Sequence, residues 1–236
     1  MDKTINIALL GYGKMGQLIE NIAGDKNINV ITHFDENNLL EDTPEIRRRI
    51  KDVSVFVDFT VPSAVLQNTK TAAAMGKNLV IGTTGWHDHL TEVKKIVKED
   101  NIGLVYGSNF SLGVNLFYKI SDYAAQLFSA FDNYDPYIEE SHHKMKKDAP
   151  SGTALVIKDM VQKQYPDQDL PVSSTRAGYI PGIHSLNFDS VVDSVHIKHI
   201  ARSRMGLAEG AILAVKWIHG KKGVFAFQNV LDEIIT

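Results

Sequence analysis

Ile5-Asn6-Ile7-Ala8-Leu9-Leu10-Gly11-Tyr12-Gly13-Lys14-Met15-Gly16 is the stretch on which the fold turns. The apolar run Ile5–Leu10 reads as a buried strand, stopped by glycine. Met15, Leu18, Ile19, Ile22 and Ala23 then recur at helical spacing. Between strand and helix, Gly11–Gly16 matches G-x-G-x-x-G, a weak signal alone and a stronger one in this position. Glycines there permit the tight turn and let the backbone approach a pyrophosphate, whose charge sits at the helix N-terminus. Gly11, Tyr12, Gly13, Lys14 and Met15 are therefore candidate cofactor residues. An acidic residue is expected about twenty positions on, at the end of the second strand. Asp35 stands there, in His33-Phe34-Asp35-Glu36, able to accept bonds from ribose hydroxyls. A ligand-free strand-to-helix turn is the alternative, and order, position and Asp35 together weigh against it.

Asp35 also bears on which dinucleotide is bound. A carboxylate repels the 2′-phosphate of NADP, and the following Glu36-Asn37-Asn38 brings no cation. Lys14 offsets this in part. NADH is the expected cofactor, with NADPH tolerated.

Outward from the first strand, two patterns alternate. Strands are expected at Asn29–Phe34, Val53–Phe59, Asn78–Ile81 and Ile102–Tyr106, and helices at Pro44–Ile50, Ser63–Met75 and His89–Glu99. This rhythm implies a parallel sheet covered on both faces. It changes after Tyr106. A long helix is expected over Val114–Phe131, then a strand at Tyr137–Ser141, a helix from Ser151 to Tyr165, and extended segments at Val172–Ala177, His184–Asp189 and Val195–Ile200. Strands in succession suggest a mostly antiparallel sheet in a second lobe. Leu207–Ile218 reads as helix and Val224–Val230 as extended. The fold class is thus α/β: a Rossmann-like dinucleotide-binding domain with a parallel sheet, plus a smaller α/β substrate domain with a mixed, mostly antiparallel sheet.

Bulk properties are those of an ordinary globular protein. The chain has 236 residues, 44% of them hydrophobic, enough for one large lobe and a smaller one. A net charge of -3 gives no general attraction to nucleic acid or to a membrane surface. There are no cysteines, which excludes thiol nucleophiles and thiolate metal sites and fits a cytoplasmic location. Met1-Asp2-Lys3 leads directly into the first strand pattern, with no signal-peptide pattern and no apolar run long enough to span a bilayer.

Two further loops lie where such sheets bind ligands. Gly82-Thr83-Thr84-Gly85 offers backbone groups and two hydroxyls, suited to a carboxamide and a ribose; an ordinary turn would use the same residues. Ser108-Asn109-Phe110-Ser111 is a second candidate, and a helix cap would explain it equally.

The densest chemistry lies in Glu140-Ser141-His142-His143-Lys144-Met145-Lys146-Lys147-Asp148-Ala149-Pro150-Ser151-Gly152-Thr153-Ala154. Imidazoles exchange protons near neutral pH. Ser151 reads as an N-cap, so Gly152 and Thr153 present free N–H groups at a helix start, a cradle for a carboxylate. A capped helix binding nothing is the plain alternative. No metal is expected, because adjacent strand residues such as His142 and His143 point to opposite faces. Together these groups suit an anionic small molecule that is protonated while bound.

The residues from Glu140 to Ala154 closely resemble the signature of the 4-hydroxy-tetrahydrodipicolinate reductase (dihydrodipicolinate reductase) family. The resemblance continues through Gly13-Lys14-Met15-Gly16, Asp58-Phe59-Thr60, Gly82–Gly85, Ser108–Asn115, His199-Ile200-Ala201-Arg202 and Gly210-Ala211, so it spans essentially the whole chain. It implies NADH- or NADPH-dependent reduction of a cyclic dicarboxylate in diaminopimelate and lysine synthesis, by a homotetramer. It implies a dinucleotide-binding domain over residues 1–111 and 208–236, and a substrate-binding and oligomerisation domain over 112–207. By motif position, His142 is the proton donor/acceptor and Lys146 a proton donor, while His143, Ser151, Gly152 and Thr153 face substrate. The glycine loop, Asp35, Gly82, Thr83, Thr84, Ser108, Asn109, Phe110 and Ser111 hold the cofactor. The chain departs from the family pattern in Arg176-Ala177-Gly178 and Met205-Gly206-Leu207-Ala208, positions expected to touch substrate-lobe detail more than chemistry. Two rivals are a dehydrogenase of another small anionic substrate and a dinucleotide sensor without turnover; neither has use for the paired imidazoles beside the Ser-Gly-Thr cradle.

Overall fold

The computed structural model describes residues 4–235. The chain forms two compact units, Met1–Ser111 with Met205–Thr236, and Leu112–Arg204.

The first unit opens with β1 (Ile5–Leu10), α1 (Lys14–Ala23), β2 (Ile28–Phe34), α2 (Pro44–Arg49), β3 (Val55–Asp58), α3 (Pro62–Ala74), β4 (Asn78–Ile81), α4 (Leu90–Glu99) and β5 (Gly103–Tyr106). The second unit holds α5 (Leu112–Phe128), β6 (Asp135–His142), α6 (Gly152–Gln162), β7 (Val172–Arg176), β8 (Ile183–Asp189) and β9 (Ser194–Ile200). The chain then returns to the first unit as α7 (Met205–Ile218), β10 (Gly223–Ala226) and α8 (Phe227–Ile235).

Six strands of the first unit form a parallel sheet in the order β10-β5-β4-β3-β1-β2. Alternation along β1 sends Ile5, Ile7 and Leu9 to one face, into a core with Ile19 of α1, Ile212 and Val215 of α7, and Phe227 of α8. Ala8 and Leu10 go to the other, with Val65 of α3 and Val93 and Val97 of α4. Both faces are therefore dry, as a parallel sheet requires. The order reverses between β1 and β3, and at that switch point the carboxyl ends of neighbouring strands diverge into a crevice.

In the second unit the sheet order is β7-β6-β8-β9, with β6–β7 parallel and the other two pairs antiparallel. Helices α5 and α6 cover one face: Phe117, Ala125, Ile157 and Val161 close over Ile138, Leu186 and Phe188. Positions 138, 140 and 142 of β6 are all buried, so the alternation that buries Ile138 also carries Glu140 and His142 inward.

One expectation needs correction. Val224–Val230 is not a single extended segment: β10 stops at Ala226 and α8 begins at Phe227. Phe227, Val230 and Leu231 are the buried residues of α8, a spacing that seals one stripe of a helix and no face of a strand. Among the described residues no helix is long and apolar enough to cross a membrane.

Candidate active site

The glycine loop sits at the switch point. Gly11 has φ +86°, and a Cβ there would lie 2.5 Å from the Phe59 carbonyl oxygen; one on Gly16 would lie 2.4 Å from that of Gly11. These two glycines are demanded by packing. Gly13 differs, because a Cβ there would meet nothing within 4 Å. Gly13 is also the N-cap of α1 and supplies no side-chain capping bond. Unsatisfied N–H groups thus face open space at a helix start, as a pyrophosphate requires. A cleft of about 560 Å³ opens there, lined by Gly11, Tyr12, Gly13, Asp35, Phe59 and Thr60 among others. The residues present fit a dinucleotide.

Neighbouring side chains are already committed. The Tyr12 ring stacks on His33 with centroids 3.9 Å apart, and its hydroxyl donates to Glu20. Asp35 Oδ1 accepts from the backbone N–H groups of Asn37 at 2.9 Å and Asn38 at 3.1 Å, which fixes the β2 turn and leaves Oδ2 for another donor. Buried Asp58, at the end of β3, ties together the loops after β3 and β4 and helix α3. Its Oδ1 accepts from the Thr60 N–H at 2.9 Å, the Thr60 hydroxyl at 2.6 Å and the Thr83 hydroxyl at 2.9 Å, and its Oδ2 from Asn68 Nδ2 at 2.9 Å. Thr83 is accordingly buried with its hydroxyl turned inward, its N–H donating to the Asp58 carbonyl at 3.3 Å and its carbonyl accepting from Trp86 Nε1 at 2.8 Å. Thr84 is exposed, and Gly82 lets the Phe59 ring pack where a Cβ would stand 2.2 Å from it. In the other loop, Asn109 Oδ1 accepts from the Ser111 N–H at 2.8 Å. The Phe110 ring is core, 4.6 Å from that of Phe227, so any ligand contact there is through backbone. Ser108 is exposed and Ser111 half-buried.

The second unit carries a charged cluster at the carboxyl end of β6. Glu140 is 1% exposed. Its carboxylate takes a forked pair from Arg176, Nη1 to Oε2 at 2.9 Å and Nη2 to Oε1 at 2.6 Å. It also accepts from the Ser151 N–H at 3.2 Å and contacts His142 Nδ1 at 2.5 Å. Burial alone would raise this carboxyl's pKa; the bonds from Arg176, Ser174 and His142 overcome that and hold it at about 2. An ionised carboxylate only accepts, so the hydrogen-bond network assigns the His142 proton to Nδ1 and leaves Nε2 as the free lone pair. Burial lowers the pKa of His142, and Lys146 and Arg176 lower it further against the pull of Glu140.

The surrounding groups shape the rest of the site. Buried Ser151 caps α6, accepting from the Ala154 N–H at 3.2 Å, and its hydroxyl pairs with His184 Nε2 at 3.0 Å. Ser151 was expected to face substrate, but both its polar groups are spent inside the protein. Gly152 is exposed with open space around it, and half-buried Thr153 bonds through its side chain to Tyr118. His143 is half-buried, and its Nδ1 has no partner. Lys146 Nζ holds both oxygens of exposed Asp148 at 2.8 Å. Lys144 and Lys147 are exposed. Glu140, His142 and His184 place potential ligand atoms within 4.8 Å of one another. A cation there would have to displace the Arg176 guanidinium from Glu140.

Known proteins resemble this chain in sequence and fold. The family described as dihydrodipicolinate reductase, N-terminus, matches residues 5–110, and that described as dihydrodipicolinate reductase, C-terminus, matches residues 113–231. The chain belongs to the dihydrodipicolinate reductase family. The 4-hydroxy-tetrahydrodipicolinate reductase of Christiangramia forsetii is 33% identical over 98% of this chain and 99% of its own length. That of Methanosarcina barkeri is 34% identical, over 96% and 99%. A dipicolinate-bound dihydrodipicolinate reductase from Paenisporosarcina sp. TG-14 superposes with a TM-score of 0.80 at 23% identity, covering 96% of this chain and 99% of that one.

Sequence reasoning named His142, His143, Lys146, Gly152, Thr153 and the glycine loop as candidates, and assigned no role to Glu140, Arg176, His184, Tyr118 or Asp58. Arg176, read as peripheral, lies at the centre of the cluster. Period two along β6 was the available signal for Glu140, which shares a face with His142. Arg176 gave none, because only the β6–β7 register sets it beside His142.

Proposed function

We propose that the chain catalyses the NAD(P)H-dependent reduction of 4-hydroxy-tetrahydrodipicolinate, the dihydrodipicolinate precursor, to tetrahydrodipicolinate in diaminopimelate and lysine biosynthesis. The observation that carries this reading is the cluster on β6 and α6: a neutral imidazole with a fixed proton, a lysine, and an open helix N-terminus, in a chain that matches the family in both halves. The net reaction adds a hydride and a proton and releases water and oxidised cofactor. When bound, the dinucleotide supplies the hydride. The N-terminus of α1 at Gly13 would hold its pyrophosphate, and Asp35 Oδ2 would accept from a ribose hydroxyl.

Substrate binding follows from charge. One carboxylate of the cyclic dicarboxylate meets the N–H groups of Gly152 and Thr153, with His143 beside it. Lys146 serves the other charged region. Its ion pair with exposed Asp148 is worth at most about 1 kcal/mol, so a carboxylate arriving in a drier site can take the ammonium over. The same incoming charge opposes the depression of the His142 pKa by Lys146 and Arg176, so the imidazole gains a proton as substrate binds. It is then a general acid beside an electron-rich intermediate. Lys146 is the second proton source.

NADH is the preferred cofactor in this reading, with NADPH accepted; Asp35 and Glu36 at the ribose end of the cleft support it. The first unit is the cofactor domain, its second segment opening at Met205 rather than at residue 208 as expected, and the second unit is the substrate domain, through which four copies associate. The exposed apolar row Leu116, Ile120, Tyr123 and Leu127 on α5 suits burial against another surface. The enzyme works in the cytoplasm, where its dinucleotide is.

Cofactor oxidation with freshly generated precursor tests the reaction. Turnover is expected, and His142→Gln or Lys146→Ala should each lose about 10²-fold or more in kcat, with cofactor affinity within a few fold of wild type. Near-normal turnover in both variants would remove the site assignment. Cofactor binding without oxidation would favour a sensor. An NADPH preference of about tenfold or more in kcat/KM, roughly 1.4 kcal/mol, would overturn the NADH assignment.

A further inference from the structure

Glu140 does more at this site than its place in the motif suggests. It is a buried carboxylate whose bonds are divided between two tasks. Oε1 accepts from the Ser151 N–H and Arg176 Nη2, tying β6 to α6 and β7. Oε2 faces His142 Nδ1, with Arg176 Nη1 on its far side. We propose that Glu140, clamped by Arg176, is the positioning residue for His142: it fixes the proton on Nδ1 and so presents the Nε2 lone pair for proton exchange with substrate. This rests on the reading of His142 as the proton-transfer group.

Three observations support the assignment. First, positions 140 and 142 alternate onto the same face of β6, so the carboxylate reaches the imidazole edge at 2.5 Å with no change of backbone direction. Second, Nε2 is kept clear from the opposite side. Gly182 lies there with φ +155°, and a Cβ on it would stand 3.1 Å from Nε2 and 3.4 Å from Cδ2. Any larger residue would crowd the nitrogen that has to meet substrate. Third, the forked guanidinium keeps Glu140 an acceptor. A buried carboxyl without a cation takes up a proton, becomes a donor, and no longer dictates which imidazole nitrogen carries hydrogen. Arg176 reaches it because the parallel register pairs Arg176 with His142 itself. Its Nη2 also donates to the Asp148 carbonyl at 2.6 Å, tying the segment that carries Lys146 to the same clamp.

A plain structural role would also bury and bond Glu140, so the test must separate the two. In the full-length enzyme, Glu140→Gln keeps the shape and replaces one acceptor by a donor. Its kcat should fall by about 10²-fold or more, with cofactor KM within about threefold. The limb of the kcat–pH profile that reports His142 should move to lower pH. Side-chain ¹⁵N shifts should show Nδ1–H in wild type and a substantial Nε2–H population in the variant. Glu140→Gln with His142→Gln should be no slower than His142→Gln alone, to within about threefold, because the two act as one unit. Retention of wild-type kcat by Glu140→Gln, an unchanged tautomer, or multiplying losses in the double variant would each overturn the inference. If His142→Gln itself turns over normally, the assignment of His142 fails, and this inference with it. If Glu140→Gln does not fold, Glu140→Gln/Arg176→Met removes the stranded cation as well, and the same expectations apply to it.

Discussion

Asp58 and Glu140 are both buried carboxylates near the carboxyl end of a strand, and each ties several segments of its unit together, yet their partners differ. Asp58 is surrounded by neutral donors: a backbone N–H, two threonine hydroxyls and an asparagine amide. Glu140 is bonded by a guanidinium and an imidazole as well as by one backbone N–H. Neutral donors fix geometry, and the loops they hold line a cleft that only has to bind. Charged and titratable partners fix geometry and also link it to protonation, as a site that moves a proton requires.

The sharpest way to break the comparison is to remove the cation. Arg176→Met leaves a buried carboxylate with its strongest partner gone, and breaking such a pair costs about 3–5 kcal/mol. Urea unfolding should show a loss near the lower end, because His142 and the Ser151 N–H remain as partners. A loss under about 1 kcal/mol would show that Glu140 tolerates isolation and is no different from Asp58.

Next in size is an effect of pH. His184 pairs with Ser151 and lies 5.0 Å from the His142 ring. Burial depresses its pKa to about 4 from an ordinary 6.5. Between those values the unfolded chain binds the proton and the folded chain does not, so folding is fully supported by this group above pH 6.5 and loses support as pH falls toward 4. The full shift corresponds to about 3 kcal/mol. Glu140, held at about 2, adds to the same trend only below its unfolded value of about 4.5. Denaturant midpoints across this range should fall on acidification, and the fall between pH 6.5 and 4.5 should shrink in His184→Asn. A flat profile there would show that His184 is not held neutral.

How much of this was legible in the sequence follows from how far apart the partners lie. Strand and helix periods are local, so the parallel sheet and its covering helices could be read from Ile5–Leu10 onward. The glycine loop and the His142–Thr153 segment are contiguous, so their residues could be named together as candidates. Glu140 to Arg176 is a pairing made by sheet register and Ser151 to His184 one made by the start of α6 packing against β8, and nothing local marks them. Thr83 shows the converse error: a hydroxyl in a plausible loop was read as facing a ligand, although an acceptor 25 residues earlier in the chain turns it inward. At the C-terminus a short apolar strand runs directly into an apolar helix stripe, and composition alone did not separate the two.

The neutral hub provides a smaller test. Asp58→Asn keeps one acceptor oxygen and replaces the other by an NH2 group, which sets a donor against either Asn68 or the threonines. The cost should be about 1–3 kcal/mol in stability. Kinetically it should appear as a rise in cofactor KM, with kcat within a few fold of wild type, because the loops it holds bind and do not transfer protons. A loss confined to kcat would place Asp58 with Glu140 and end the contrast.

The smallest effect is expected at Ser151, which stands between the two kinds of hub. Its N–H serves Glu140, while its hydroxyl caps α6 and pairs with His184. Ser151→Ala keeps the N–H and removes only the hydroxyl, so the clamp on His142 should survive. Loss of the cap should cost about 1 kcal/mol. Part of that is returned if the freed His184 nitrogen gains a water. Were Ser151 a direct ligand of a substrate carboxylate, as its place in the motif suggests, substrate KM would rise by about tenfold or more, the equivalent of a lost charge-assisted bond. With the hydroxyl turned inward, KM should change by less than about threefold while Tm falls. The result separates a residue that shapes the helix start from Gly152 and Thr153, whose N–H groups are proposed to receive the carboxylate. It also fixes where the carboxylate cradle begins along the chain.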